Sequence, residues 1–144
     1  MDESLNIEGS NLTENKEKLI KRILLAEDDD DLRKTLFEIL TEAGGYTVDA
    51  VKNGELLLEK LFAGKEKYSL IITDNDMPKV KGIEALKKIR ENNSFKNLPV
   101  IVNSGDVDIE EEVKRLNAFF TNKSIKKVDI FLELVKKALS TSQK

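Results

Sequence analysis

The stretch Leu70-Ile71-Ile72-Thr73-Asp74-Asn75-Asp76 sets bulky apolar side chains next to one another with no polar alternation, then turns abruptly to carboxylates. Successive side chains of a strand point to opposite faces, so a continuous apolar run is satisfied only where both faces of the sheet are covered. That is the pattern of a strand inside a parallel sheet with helices above and below. Two other stretches read the same way. Ile23-Leu24-Leu25-Ala26 runs straight into Glu27-Asp28-Asp29-Asp30-Asp31, and Val100-Ile101-Val102 ends at Asn103-Ser104-Gly105.

Between these runs the apolar spacing changes to the helical one. Leu32, Leu36, Ile39, Leu40 and Ala43 recur every three or four residues up to Gly44-Gly45, with Asp29 or Asp30 placed to cap the helix. Leu57, Leu61 and Phe62 mark a second helix ending near Gly64. Ile83, Leu86 and Ile89 mark a third, stopped around Asn92 and Asn93. Ile109, Val113 and Leu116 indicate a fourth, and Val128, Phe131, Leu132, Val135 and Leu139 a fifth. Tyr46 to Val51 and Ala118 to Thr121 supply the remaining strands. Five strands alternating with five helices are too few for an eight-stranded barrel, which leaves an α/β fold with an open, doubly wound, five-stranded parallel sheet.

Composition bounds the chemistry. The chain has 144 residues, 35% of them charged, and contains no His and no Cys. Imidazole acid–base catalysis, thiol nucleophiles, structural zinc and disulfides are therefore excluded. A net charge of −3, with basic and acidic residues interspersed, offers no electrostatic footprint for nucleic acid. No apolar run approaches the roughly 18 residues of a membrane span, and the N-terminus lacks the features of a signal peptide, so a cytoplasmic protein is expected. Residues 1–18 are polar and acid-rich and read as a flexible tail; residues 19–144 read as one domain.

In an open parallel sheet, ligands bind beyond the carboxyl ends of the strands. Glu27 and Asp28 fall there after the first strand, Asp74 and Asp76 after the third, Ser104 after the fourth and Lys123 after the fifth. Converging carboxylates repel one another unless a cation joins them. An all-oxygen donor set selects Mg²⁺, Mn²⁺ or Ca²⁺, and few ligands with open positions suit Mg²⁺. Carboxylates, a hard cation, an ammonium and a hydroxyl together suit phosphoryl transfer, with Asp74 as candidate nucleophile. Asp29, Asp30 and Asp31 are read as capping residues favoured by the helix dipole.

These motifs, in order, resemble the receiver domain of two-component response regulators, in its single-domain form: Ile23 to Asp29, Asp74-Asn75-Asp76-Met77-Pro78 with Gly82, Pro99 to Gly105, and Lys123. The resemblance covers roughly Lys21 to Leu139. It implies a CheY-like, flavodoxin-like fold. Glu27, Asp28 and Asp74 would hold Mg²⁺ together with the backbone carbonyl of Asp76, and Asp74 would accept the phosphoryl group. Ser104 and Lys123 would bind phosphoryl oxygens, and Phe120 would take the aromatic switch position. The implied donor is a phosphohistidine on a sensor histidine kinase or histidine phosphotransfer protein, and the implied output is a conformational switch read by a downstream target protein. Such a domain catalyses only its own phosphorylation and dephosphorylation.

Three departures stand out. Ser124 follows Lys123 where the family usually has a cis Pro, and a cis bond before Ser would cost roughly 2.5–4 kcal/mol. The stretch from Ser104 to Lys123 is about one helical turn short, so the fourth helix is expected to be short. Asn103 puts an amide where an apolar residue is common. The departures at Ser124 and in the fourth segment motivate an alternative, a receiver-fold adaptor independent of phosphorylation. A further alternative is a metal-dependent phosphoryl-transfer enzyme resembling Toprim or haloacid-dehalogenase-like proteins. Toprim sites, however, usually place Gly after the glutamate and do not call for Ser104 or Lys123, and dehalogenase-like chains are generally longer.

Overall fold

A computed structural model of the protein describes residues 20–123 and 127–141. The expected tail over 1–18 and the Lys123–Ser124 peptide lie outside the described residues. The strands are β1 (Arg22–Ala26), β2 (Thr47–Val51), β3 (Leu70–Thr73), β4 (Val100–Ser104) and β5 (Phe119–Asn122), all parallel, in the order β2-β1-β3-β4-β5. The helices are α1 (Asp30–Glu38), α2 (Gly54–Ala63), α3 (Gly82–Glu91), α4 (Glu110–Arg115) and α5 (Val128–Thr141).

Alternation along the strands divides the core in two. Ile23, Leu25, Leu70, Ile72 and Ile101 face Leu36 and Leu40 of the first helical segment and Phe131, Val135 and Ala138 of α5. Leu24, Ile71, Val100 and Val102 face the other way, against Leu57 and Leu61 of α2, Leu86 and Ile89 of α3, and Val113 of α4. The central strands are fully buried on both faces, which is why their sequence shows no polar alternation.

Asp29, extended at φ −75°, caps α1 by accepting from the Leu32 N–H at 3.0 Å, so of the two candidate caps the backbone selects the first. α1 does not stop at Glu38 but widens into a π turn over Ile39–Ala43 before the two glycines. α4 is short, six residues preceded by a 3₁₀ turn over Val107–Ile109. β5 begins and ends one residue later than its apolar pattern suggests. Arg90 anchors this part of the molecule: its half-buried guanidinium donates to the carbonyls of Leu116 (2.7 Å), Leu98 (2.8 Å) and Asn117 (3.1 Å), tying the end of α3 to the α4–β5 turn. No helix among the described residues is long and apolar enough to cross a membrane.

Candidate phosphoryl and metal site

The chain leaves β1 to one side to form β2 and returns to the other to form β3, so a crevice opens between the carboxyl ends of β1 and β3. Side-chain parity carries the α1/α5 face of the sheet outward from Leu25 to Glu27, from Ile72 to Asp74, from Ile101 to Asn103, and from Phe119 through Thr121 to Lys123. Glu27, Asp74 and Asn103 are almost completely buried, and Lys123 is partly buried.

Glu27, Asp28 and Asp74 each bring one carboxylate oxygen into a group whose members all lie within 4.8 Å of one another. Lys123 spans β4 to reach it. Its Nζ donates to Asp74 Oδ2 at 2.8 Å and to Glu27 Oε2 at 3.2 Å. The second contact was not foreseen from sequence, because the two residues are 96 positions apart and meet only through the sheet order.

Burial raises the Glu27 carboxyl to about 7; the Asp29 N–H, which donates to Oε2, pulls the other way, the negative charge of Asp74 adds to the rise, and Lys123 opposes it. Burial also raises Asp74, against the Lys123 ammonium and the N–H groups of Asn75 and Asp76, which donate to Oδ1 at 2.7 and 3.3 Å. Lys123 loses some basicity to burial but gains more from Asp74 and Glu27, and ends above the usual lysine range.

The loop after β3 is shaped by residues whose part only the fold reveals. The buried Asn75 accepts the Ile83 N–H on its side chain (3.0 Å), and its carbonyl accepts from Gly82 (3.1 Å) and Met77 (3.0 Å). This folds the start of α3 back onto Asp74. Gly82 is required there, because a Cβ would run into the Asp74 carbonyl oxygen.

The remaining candidates are placed as follows. Ser104 is fully buried at the end of β4, its Oγ accepting from the Asp106 N–H at 3.0 Å and its carbonyl from the Lys123 N–H at 3.0 Å. Asp76 is exposed, and its side chain is outside the three-carboxylate group. Phe120 lies half-buried on the opposite face of the sheet, packed with the α2–α4 cluster. The donor set, three carboxylate oxygens at one end of an apolar sheet, fits a hard divalent cation such as Mg²⁺.

Residues 23–135 match the response regulator receiver domain family. The chain belongs to that family. Among solved structures, the receiver domain resembles the response regulator protein TrrA from Thermotoga maritima in complex with Mg²⁺-BeF, with 33% identity and a TM-score of 0.73 over 83% of this chain and 99% of that one. The fold is shared with chemotaxis response regulator CheY4 of Vibrio cholerae (24% identity, TM-score 0.73, 83% and 98% coverage). Among curated proteins, it is 37% identical over 124 residues to the 3′,5′-cyclic-nucleotide phosphodiesterase regA of Dictyostelium discoideum, covering 83% of this chain and 15% of that protein. It is 44% identical over 72 residues to the response regulator receiver protein CpdR of Brucella abortus, covering 50% and 58%. Its matches span between 15% and 61% of the length of such curated relatives.

Proposed function

We propose that this receiver domain, residues 19–144 with 1–18 as a tail, accepts a phosphoryl group on Asp74 and passes the signal to a partner protein by a conformational switch. The observation that carries the reading is the Lys123 ammonium 2.8 Å from Asp74 Oδ2 inside the group of three carboxylates. The donor is a phosphohistidine on a sensor histidine kinase or histidine phosphotransfer protein, the imidazole chemistry this chain lacks. One Asp74 carboxylate oxygen bonds to phosphorus as the P–N bond breaks, and the electron pair stays on the imidazole nitrogen. Water attack on phosphorus later returns inorganic phosphate and the free carboxylate.

Glu27, Asp28 and Asp74, with the Asp76 carbonyl, would hold Mg²⁺. When bound, the ion neutralises charge on the phosphoryl oxygens. The chain's own residues do the rest. The Asn75 and Asp76 N–H groups fix the Asp74 carboxylate, Lys123 supplies a positive charge beside it, and Ser104 offers a hydroxyl to a phosphoryl oxygen. A dianion that binds one conformer of the β4–β5 region better than the other shifts the population between them, with Phe120 as the aromatic reporter of that shift.

Incubation of the parent and Asp74→Asn chains with acetyl phosphate and Mg²⁺, read by intact mass, tests the reading. Gain of one phosphoryl group by the parent alone is expected. No adduct on the parent at any Mg²⁺ concentration would favour an adaptor that works without phosphorylation.

A further inference from the structure

Asn103 is 1% exposed, and neither its Oδ1 nor its Nδ2 has a hydrogen-bond partner among the described residues. Buried carboxamides are nearly always satisfied, so an unpaired one calls for an explanation, and a partner gained in another state is one. Its place in the sheet says which partner. Asn103 follows Val102, which is paired with Thr73 of β3, and is itself paired with Thr121 of β5. It therefore sits on the strand between Asp74 and Lys123, on the face the lysine must cross to reach Asp74.

In the resting arrangement the Lys123 ammonium uses two acceptors, Asp74 Oδ2 and Glu27 Oε2. Phosphorylation converts the Asp74 carboxylate to a mixed anhydride, and Glu27, as one of the carboxylates that would hold Mg²⁺, would have less charge to offer the lysine. Both acceptors are then lost or weakened, while an ammonium has three N–H bonds to place. Phosphoryl oxygens take part of that demand. The one buried side-chain acceptor left without a partner among the described residues is Asn103 Oδ1.

We propose that Asn103 is a positioning residue: in the phosphorylated state its Oδ1 accepts from the Lys123 ammonium and keeps the lysine on the phosphoryl group. This rests on Asp74 being the phosphoacceptor. In the resting state the amide is a standing cost, and the phosphorylated state relieves the Oδ1 part of it.

The test compares the parent with Asn103→Leu, which keeps the number and branching of the side-chain heavy atoms and removes the amide, and with both side chains in a Lys123→Met background. Acetyl phosphate with Mg²⁺ serves as donor, the adduct rate and lifetime are read by intact mass, and thermal midpoints are recorded without donor. Asn103→Leu is expected to raise the resting midpoint yet slow adduct formation or shorten adduct lifetime about tenfold, the worth of one hydrogen bond to a charged group. In the Lys123→Met background the kinetic effect should vanish, because the amide acts through the lysine. Unchanged kinetics in Asn103→Leu, or an effect of equal size without the lysine, would overturn the inference and leave the phosphoacceptor reading intact. A parent chain that gains no phosphoryl group would overturn both.

Discussion

Replacing Lys123 with Met keeps an apolar stem in place and removes the only cation among the described residues that is hydrogen-bonded to the two buried carboxylates Glu27 and Asp74, whose side chains are each 1% exposed. Deleting one partner of a buried pair costs ~3–5 kcal/mol when the remaining charge has no escape. Here there are two escapes. Lys123 is 29% exposed, so solvent already screens the pair, and Glu27 titrates at about 7, so a proton can replace the lost ammonium. Both carboxyls have folded values above their unfolded ones. For such acids the folded state holds the extra protons, so stability is greatest at low pH and falls as pH rises through the folded value. Loss of Lys123 lifts the folded values further and steepens that fall. The expected loss in urea unfolding is about 2–3 kcal/mol near pH 8 and under about 1 kcal/mol near pH 5. Mg²⁺ should recover much of the loss at the higher pH, because it supplies the missing positive charge. A loss of the same size at both pH values, or one indifferent to Mg²⁺, would show that Lys123 does not neutralise these carboxylates.

Mg²⁺ affinity measured by calorimetry should weaken about tenfold from pH 8 to pH 6, since Glu27, which titrates at about 7, must lose its proton to bind; a flat profile would contradict the assigned ligand. Gly82→Ala forces a Cβ against the Asp74 carbonyl, and should cost about 2 kcal/mol and slow adduct formation, both readable on one preparation. Arg90→Ala strips three carbonyls of a charged donor and should lower stability by about 3 kcal/mol, with faster hydrogen exchange concentrated in the α4–β5 turn.

The fold was legible because its strands are apolar on both faces and its helices on one stripe; no other element pairing satisfies both patterns at once. Ends were less so. The π turn after Glu38 and the one-residue shift of β5 depend on backbone hydrogen bonds that side-chain periodicity does not encode. At the site, Glu27, Asp28, Asp74 and Lys123 could be placed at one sheet edge from sequence, because each follows a strand. That Lys123 bridges two carboxylates, that Asn75 and Gly82 fold α3 onto Asp74, and that Asn103 lacks a partner among the described residues emerge only when three or four strands lie side by side. Asn103 was readable as a departure from the family's residue pattern; its pairing with Thr121 of β5 was not.

Asp74 is proposed, among several carboxylates at the same edge, to take the phosphoryl group. Borohydride reduction of the acetyl phosphate adduct, followed by peptide mass spectrometry, converts the modified aspartate to homoserine and so reads the residue itself. Homoserine is expected at position 74 and at no other; homoserine at position 28 or 76, or none at all, would rule out Asp74 as the phosphoacceptor.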